Sequence, residues 1–567
     1  MSTKKAWRRL NFKYFGFMMV PAINRFNLIA GLAVFFVGFI LLIPFTGTLD
    51  ILRQGDEVMH IATVRESLDT GSWLLPQLTG QPNAYKPPLL FWLGMIGEAL
   101  FGRSLLSDRI LMVSTGALIG SLLFVMARRL GASGFKSIFI GLSFVVSLAA
   151  FKFSRLLMMD LPMAFGLTLV GYLLLLYRLK PRYFYLWLAG FVVGVGFLFK
   201  GPLFHVYSGL LVLSFIFVRG WSPAILASRV RQLNFFKKFF IDGSVLLISS
   251  LIVPLLWVIS LYVSGHSGVL WFFFVIENVG KFGAENQPMT RIFGGWLLYL
   301  LPFTLPVIWI WFKSFRQPVQ NKANLFSRIF LIAAVLVTLL HLLPDRKDPY
   351  YVIPVLPLVL LSVGLNVQRN DRTVWRLLKL QNLILAVLTG IVAIIFISWP
   401  VGIFIFVIFG IWFAMSRIFK NGNFDWFGQF VAASFIIILF QFLILPKVNR
   451  PAVNESIANE LQDQPICLVS RNWWDVFELK MILPNADVVH SSPTTNIHCV
   501  DGSRAVLVLQ EQIDLPKNYI LTKQWSHWSI RPVSIDFRKR GHKIIDLTQF
   551  EGQSQIWQPV GMNTNGN

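Results

Sequence analysis

In an otherwise apolar chain, ionisable residues gather at a few places where they could do chemistry. Asp56 follows Gly55 and opens a helix-like stretch running to Asp69. In that stretch Val58, Ile61, Ala62 and Leu68 share one face, and Gly71 supplies the stop. A carboxylate at a helix N-terminus caps backbone N–H groups for about 1 kcal/mol. If it also faces a cavity it can take a proton or hold a sugar hydroxyl, and the two roles are compatible. Lys86 stands in Tyr85–Lys86–Pro87–Pro88, directly before the apolar piece Leu89–Phe101. A residue preceding proline is extended, and proline favours the first helical turn. Lys86 is therefore fixed beside a helix N-terminus, and a cation next to a positive helix end attracts an anion such as phosphate. The plainer reading is a lysine snorkelling to headgroups.

Four further connections carry charge. One holds Lys152, Arg155 and Asp160, where Arg155 and Asp160 also suit a simple ion pair; another is the tight turn Lys200–Gly201–Pro202. A third has Glu277, Asn278, Lys281, Glu285 and Arg291, and the last packs Asp345, Arg346, Lys347, Asp348, Tyr350 and Tyr351 together. Cations at membrane depth suit a lipid phosphate, whereas carboxylates and aromatic rings suit a sugar. The combination points to transfer of a sugar from a polyprenyl-phosphate carrier rather than from a nucleotide.

The elements that must position these residues are membrane spans. Of 567 residues 55% are hydrophobic and 14% charged, with a mean hydropathy of +0.63, against roughly 25% charged in ordinary globular chains. The net charge of +24 raises nucleic acid as a partner. That reading fails, because the basic residues sit in short clusters between long apolar runs and no basic face appears. Thirteen stretches are long enough to cross about 30 Å of hydrocarbon, among them 27–47, 137–153, 203–218, 295–312, 400–416 and 427–445. Leu89–Phe101 has 13 residues, so it reaches about 20 Å and is expected to lie at the interface or re-enter. Lys and Arg favour the N-terminus and alternate connections, such as Arg128, Arg129 and Lys136 or Arg369, Arg372, Arg376 and Lys379. By the positive-inside rule the N-terminus is cytoplasmic, and the five chemical loops, the longest being 48–103, face outward.

From residue 446 the chain turns polar. Residues 1–445 are expected to form the membrane unit and 446–567 a small soluble α/β unit, with β-rich runs Pro465–Val469 and Ala505–Leu509 and a helix over Asn472–Leu483. Both cysteines, Cys467 and Cys499, fall there. A disulfide is permitted in an oxidising compartment, and two buried thiols fit equally well. Lys4–Lys13 reads as an amphipathic cytoplasmic segment rather than a signal peptide.

The run from Asp56 to Arg109 resembles the first loop of the bacterial aminoarabinose-transferase and protein-mannosyltransferase-like family, which has the GT-C fold. The residues that carry the resemblance are Asp56–Glu57, Arg65–Glu66, Gly71 with Trp73, Pro76, Thr79–Gly80, Lys86–Pro88 and Phe91–Trp92. Later stretches are similar too: Arg155 to Asp160, Lys200–Gly201–Pro202, Glu277–Asn278 to Lys281–Phe282, and Lys347 to Tyr351. The resemblance implies a polytopic α-helical membrane protein with a small outer α/β domain. Its activity would be an inverting transfer from a polyprenyl-phosphate sugar at the outer face of the bacterial inner membrane. Asp56 would hold the sugar or act as base, with Asp160 as a second acidic member. Lys86, Lys281 and Lys200 would hold the donor phosphate, and Glu57, Arg155, Tyr85, Lys347 and Tyr351 would line the substrate cavity. Many relatives carry Glu where this chain has Tyr85. A divalent metal thus stays an open expectation, with Asp56, Glu57 or Asp160 as its ligands, and no other cofactor is expected.

The acceptor implied is lipid A or another glycolipid, with a protein hydroxyl as the next option, and the chain is expected to act as a monomer. A lipid transporter or flippase is the rival of another class. Transporters place charges near the bilayer midplane, often in repeated halves; here the charges cluster at one face and no repeat is visible.

Overall fold

The computed structural model describes residues 25–49, 55–219, 229–279, 286–316, 319, 321–368, 371–418, 422–445, 453–461, 464–493, 497–500, 502–509, 513, 515–517, 519–528 and 551–559. Lys281 and Glu285, and the segment Lys4–Lys13, lie outside them. Helix α1 (Arg25–Leu42) is followed by α2 (Gly55–Thr70) and a two-strand hairpin, β1 (Gln77–Leu78) with β2 (Gln81–Pro82). Next come α3 (Leu89–Phe101), α4 (Leu105–Arg129), α5 (Gly134–Val145), α6 (Leu148–Phe153), α7 (Asp160–Leu179), α8 (Tyr183–Lys200) and α9 (Pro202–Arg219). After α10 (Arg229–Val263) and the short α11 (Ser267–Trp271), residues Phe272–Val279 form a π-helix. The helical part continues with α12 (Thr290–Tyr299), α13 (Thr304–Arg316), α14 (Lys322–Leu340), a 3₁₀ segment Pro349–Val355, α15 (Leu356–Asn366), α16 (Arg372–Phe396), α17 (Trp399–Ile418) and α18 (Gly422–Leu439).

Among the described residues eight helices are long and apolar enough to cross a membrane, or nine if α12 and α13 count as one span bent by 109°. Some of the apolar runs read from the sequence are not single straight helices. Continuous hydrophobicity hides breaks: 137–153 divides at Ser147, whose side chain accepts from the Ala150 N–H and caps α6, and 295–312 divides between Tyr299 and Thr304. The runs at 203–218 and 400–416 each lie within one helix, the 18-residue α9 and the 20-residue α17.

The α4 helix is central, packing on α1, α3, α5 and α7. The approach of α3 to α4 is so close that a Cβ on Gly97 would sit 2.1 Å from the Ser107 carbonyl oxygen. This leaves glycine as the one residue that fits. As expected, Leu89–Phe101 is a 13-residue helix, with Leu90, Phe91 and Met95 fully buried against neighbouring helices. Gly71, at φ +67°, follows α2 in the left-handed conformation usual for a helix stop. The hairpin turns at Thr79 and Gly80, both with positive φ, which is the conformation of a type I′ turn.

The tail carries α19 (Glu455–Leu461), β3 (Ile466–Val469), α20 (Asp475–Ile482), β4 (Val488–Ser491), β5 (Ala505–Val508), β6 (Tyr519–Trp528) and β7 (Glu551–Pro559). Its sheet order is β4-β3-β5-β7-β6; β3 pairs in parallel with β4 and β5, while β7 is antiparallel to β5 and β6. All residues of β3 and β5 are buried, as unbroken apolar runs require when both faces of a parallel strand are covered. Cys467 on β3 and Cys499 form a disulfide, which resolves the two readings the sequence left open.

Candidate active site

The N-terminal turn of α2 presents two neighbouring carboxylates in different directions, because successive helical residues lie about 100° apart. Asp56 is exposed, whereas Glu57 is fully buried. Glu57 Oε1 accepts from Arg109 Nε at 2.7 Å and from the Leu157 N–H at 2.9 Å; Oε2 accepts from Arg109 Nη2 at 3.0 Å. Arg109 also donates to the carbonyls of Thr46 and Thr48. Glu57, expected to touch substrate, is thus engaged in tying α2 to α4 and to the loop before α7.

Arg65 and Glu66, the other charged motif residues on α2, are similarly structural. Arg65 donates to Glu98 at 2.9 Å and Asp108 at 3.2 Å, and to the carbonyls of Lys480 and Met481 at the end of α20. It therefore joins α2, α3, α4 and the tail. Glu66 accepts the N–H groups of Thr79 and Gly80, both at 2.6 Å, and so holds the hairpin turn. His60, one turn beyond Asp56 and Glu57, is buried with Nδ1 2.8 Å from the Leu157 carbonyl. Burial pushes its pKa below the ordinary value, partly offset by that hydrogen bond and by the charge of Asp56.

Around Asp56 the structure assembles a chain of polar groups drawn from four elements. Arg346 Nη2 lies 3.8 Å from Asp56 Oδ2, and Arg346 Nε donates to Asp348 Oδ2 at 2.8 Å. Asp348 also accepts from the Tyr350 hydroxyl at 3.0 Å and from Arg291 at 3.3 Å. The rings of Tyr350 and Tyr351 lie under the Lys200 ammonium, with centroids 5.8 and 5.2 Å away. Lys200, at the end of α8, donates to Asp160 Oδ1 at 3.2 Å, at the start of α7. Asp160 Oδ2 is buried without a hydrogen-bond partner among the described residues. Asp56 and Asp160 are close enough to interact electrostatically. Behind Tyr351 its ring packs on His341 at 4.6 Å, and His341 Nε2 is hydrogen-bonded to the Tyr207 hydroxyl.

Lys86 lies on the other flank. It pairs with Glu277 of the π-helix and donates to the Tyr85 carbonyl at 3.1 Å; both it and Asp56 act electrostatically on His60. The exposed Tyr85 ring stands edge-on to Phe272 at 5.2 Å. π-helical turns often mark functional sites because they displace side chains from the regular register. Here Asn278 Nδ2 donates to the Phe273 carbonyl at 2.6 Å within that turn.

Of the expected residues, Asp56, Asp160, Lys200 and Tyr351 therefore come together, with Lys86 and Tyr85 flanking them. Arg155 stacks on Phe151 at 4.2 Å, and Lys200 pairs with the Asp160 carboxylate. The buried Lys347 donates to Asn286 Oδ1 at 3.1 Å. Lys281 lies outside the described residues. Arg346, Asp348, Tyr207 and His341 were not singled out from the sequence. Arg346 and Asp348 stood in a charged cluster whose pairing only the fold decides, and Tyr207 meets His341 across 134 positions, for which no local pattern exists. Among the described residues no three His, Cys, Asp or Glu side chains gather as a metal site. Of the three carboxylates expected as ligands, Glu57 is held by Arg109 and Asp160 by Lys200, while Asp56 is exposed.

A helical bundle of membrane spans, with a connected set of ionisable residues at one end beside a long first loop, is the arrangement expected of a membrane protein of GT-C type. Comparison with known proteins agrees. Residues 85–260 match the family model described as dolichyl-phosphate-mannose-protein mannosyltransferase. The chain is 27% identical over 395 residues to an undecaprenyl phosphate-alpha-4-amino-4-deoxy-L-arabinose arabinosyl transferase of Edwardsiella ictaluri, covering 66% of this chain and 65% of the relative. A protein of the same name from Pseudomonas savastanoi is 25% identical over 381 residues, covering 65% and 66%. The chain thus matches just under two thirds of the length of these relatives. The crystal structure of ArnT from Cupriavidus metallidurans bound to undecaprenyl phosphate superposes with a TM-score of 0.62 at 14% identity, covering 85% of this chain and 92% of that one. The fold is therefore the GT-C fold of ArnT, and the family resemblance carried by the first loop is borne out.

Proposed function

We propose that this chain is an inverting glycosyltransferase that moves a sugar from a polyprenyl-phosphate carrier to a glycolipid acceptor, lipid A or a close analogue, at the outer face of a bacterial inner membrane. The observation that carries the reading is the continuous set Asp56, Arg346, Asp348, Tyr350, Tyr351, Lys200 and Asp160 at one end of the bundle. Relatives named as arabinosyl transferases with an undecaprenyl-phosphate donor support the substrate class. Residues 1–445 are the catalytic membrane unit. Residues 446–567 are an outer soluble unit, held to α2 through Arg65.

The reaction is an in-line displacement. An acceptor hydroxyl oxygen bonds to the anomeric carbon as the bond from that carbon to the phosphate oxygen breaks, so the configuration inverts. Asp56, exposed and beside Arg346, takes the hydroxyl proton. Negative charge grows on the departing polyprenyl phosphate, where Lys86 and Lys200 stabilise it more in the transition state than in the ground state. The Tyr350 and Tyr351 rings wall the sugar, and Asp160 orients Lys200. Because Glu277 pairs with Lys86, the donor phosphate must compete with or displace that carboxylate on binding.

Lipid A from cells carrying the wild-type protein should contain a sugar-sized mass increment by mass spectrometry that is absent with Lys86→Ala. Identical spectra at equal expression would eliminate lipid A as acceptor. A second reading, transfer to a protein hydroxyl, is favoured by the mannosyltransferase family match over residues 85–260, and would appear as a glycosylated periplasmic protein lost in the same variant.

A further inference from the structure

At the opposite end of the bundle from Asp56 lies a groove that the transfer reaction does not use. Helix α7 starts at Asp160 and has 20 residues, so its far end is about 30 Å away, one hydrocarbon thickness. There a groove of about 390 Å³ opens between α7, α8, α9 and α10, a size ordinary for small-ligand sites. Leu174, Leu186, Val212, Phe215, Phe239 and Leu246 line its apolar part. Its polar residues are Tyr177, Arg178, Asn234, Lys238 and Asp242. They form a built cluster: Lys238 donates to the Tyr177 hydroxyl at 2.8 Å and to Asp242 Oδ1 at 3.2 Å, and the Tyr177 hydroxyl donates to the same Oδ1 at 2.7 Å.

We propose that this groove binds one anionic glycerophospholipid of the leaflet opposite the active site, its phosphodiester at Arg178 and Lys238 and an acyl chain along the apolar walls. Charge complementarity favours such an occupant. Arg178, Lys238 and Asp242 sum to one positive charge, which one phosphodiester neutralises, while Asp242 keeps Lys238 in place. Arg178 and Lys238 are both exposed and stand where a headgroup would, at the ends of spanning helices. Basic residues at the inner face are drawn to anionic lipid, and here an apolar groove of ligand size adjoins them. The site stands independently of the glycosyltransferase reading.

The full-length protein, purified in mild detergent, should retain about one anionic phospholipid per chain. By native mass spectrometry it should bind added phosphatidylglycerol roughly tenfold or more tightly than phosphatidylcholine. Combined Arg178→Glu and Lys238→Glu should abolish the preference. Leu246→Trp, which fills the groove and leaves the charges intact, should abolish retention and decides the matter if the charge-reversed protein does not fold. Equal retention by wild type and Leu246→Trp would overturn the proposal, as would a retained polyprenyl phosphate in place of a glycerophospholipid.

Discussion

The Glu57–Arg109 pair separates two roles for the same carboxylate: substrate contact, which the sequence suggests, and anchoring, which the geometry gives. Both side chains are almost wholly buried, at 0% and 1% exposure. Four of the five N–H groups of Arg109 are taken, two by Glu57 and one each by the carbonyls of Thr46 and Thr48. Glu57→Gln keeps the shape but leaves the guanidinium charge uncompensated in a dry site. Breaking one partner of a buried pair costs about 3–5 kcal/mol, which is roughly a hundred- to several-thousand-fold in the folding equilibrium. Glu57→Leu combined with Arg109→Leu removes both charges and should recover much of that loss, although the carbonyls of Thr46 and Thr48 and the Leu157 N–H lose partners worth about 1 kcal/mol each. The assay is unfolding of the purified proteins in a denaturing detergent titration, run beside sugar transfer in cells. Glu57→Gln should be destabilised more than the double variant, with transfer falling in step with folded protein. A Glu57→Gln protein of wild-type stability that had lost only transfer would refute the anchoring argument and return Glu57 to the substrate cavity.

Four other outcomes follow from the same geometry. Asp56→Asn, at an exposed position, should leave expression and stability unchanged while lowering transfer by roughly 10²–10⁴; retained transfer would remove Asp56 as the base. Gly97→Ala forces a Cβ onto the Ser107 carbonyl and should destabilise the α3–α4 contact by about 1–3 kcal/mol, read as lower yield of folded protein than with Gly134→Ala, where a Cβ meets nothing. Cys467→Ser opens a disulfide with a sequence separation of 32 and should cost the tail roughly 3–4 kcal/mol, seen as faster proteolysis of residues beyond 453 with the helical part unaffected. His60 has its pKa lowered in the fold, chiefly by burial, so an opened first loop takes up a proton near the ordinary value of about 6.5 before the closed one does. Its contribution to stability is full above that pH and drains as pH falls through it, by at most about 1.4 kcal/mol per unit. Hydrogen exchange in α2 should accelerate between pH 7 and 5.5, and less so in His60→Gln.

Legibility in the sequence followed the range of the interactions. The loop-one signals were local, so α2 with its glycine stop, the short helix Leu89–Phe101 and the position of Asp56 at a helix start could all be read from residues a few places apart. Hydrophobicity gave the membrane class at once but hid the breaks within its runs, because a break such as Ser147 changes the path of the chain while the flanking residues stay apolar. The tail's buried parallel strands were visible as the unbroken runs around Cys467 and Val506. Long-range pairing was not legible. Nothing in the sequence decides that Asp160 meets Lys200, or that Arg346 bridges Asp56 and Asp348, since a charged residue carries no mark of its partner.

That difference also explains why the first-loop motif misleads when read as a list of catalytic residues. Glu57, Arg65 and Glu66 sit within one helix beside Asp56, yet each is bound to a distant segment: Arg109 of α4, Glu98 of α3 with the tail, and the hairpin turn. A buried ion pair adds little net stability compared with apolar packing of the same volume, so stability alone gives no reason for this arrangement. Its geometric consequence is different. Directional bonds to three separate elements fix the rotation and the depth of α2, and a group-transfer site loses rate by about a hundredfold for an ångström of displacement. On the proposed reaction, the α2 part of the motif is therefore one working carboxylate with the apparatus that aims it. Substitution at Glu66, which holds an exposed turn, should then lower the transfer rate before it lowers the amount of folded protein, whereas substitution at Asp56 should lower the rate alone.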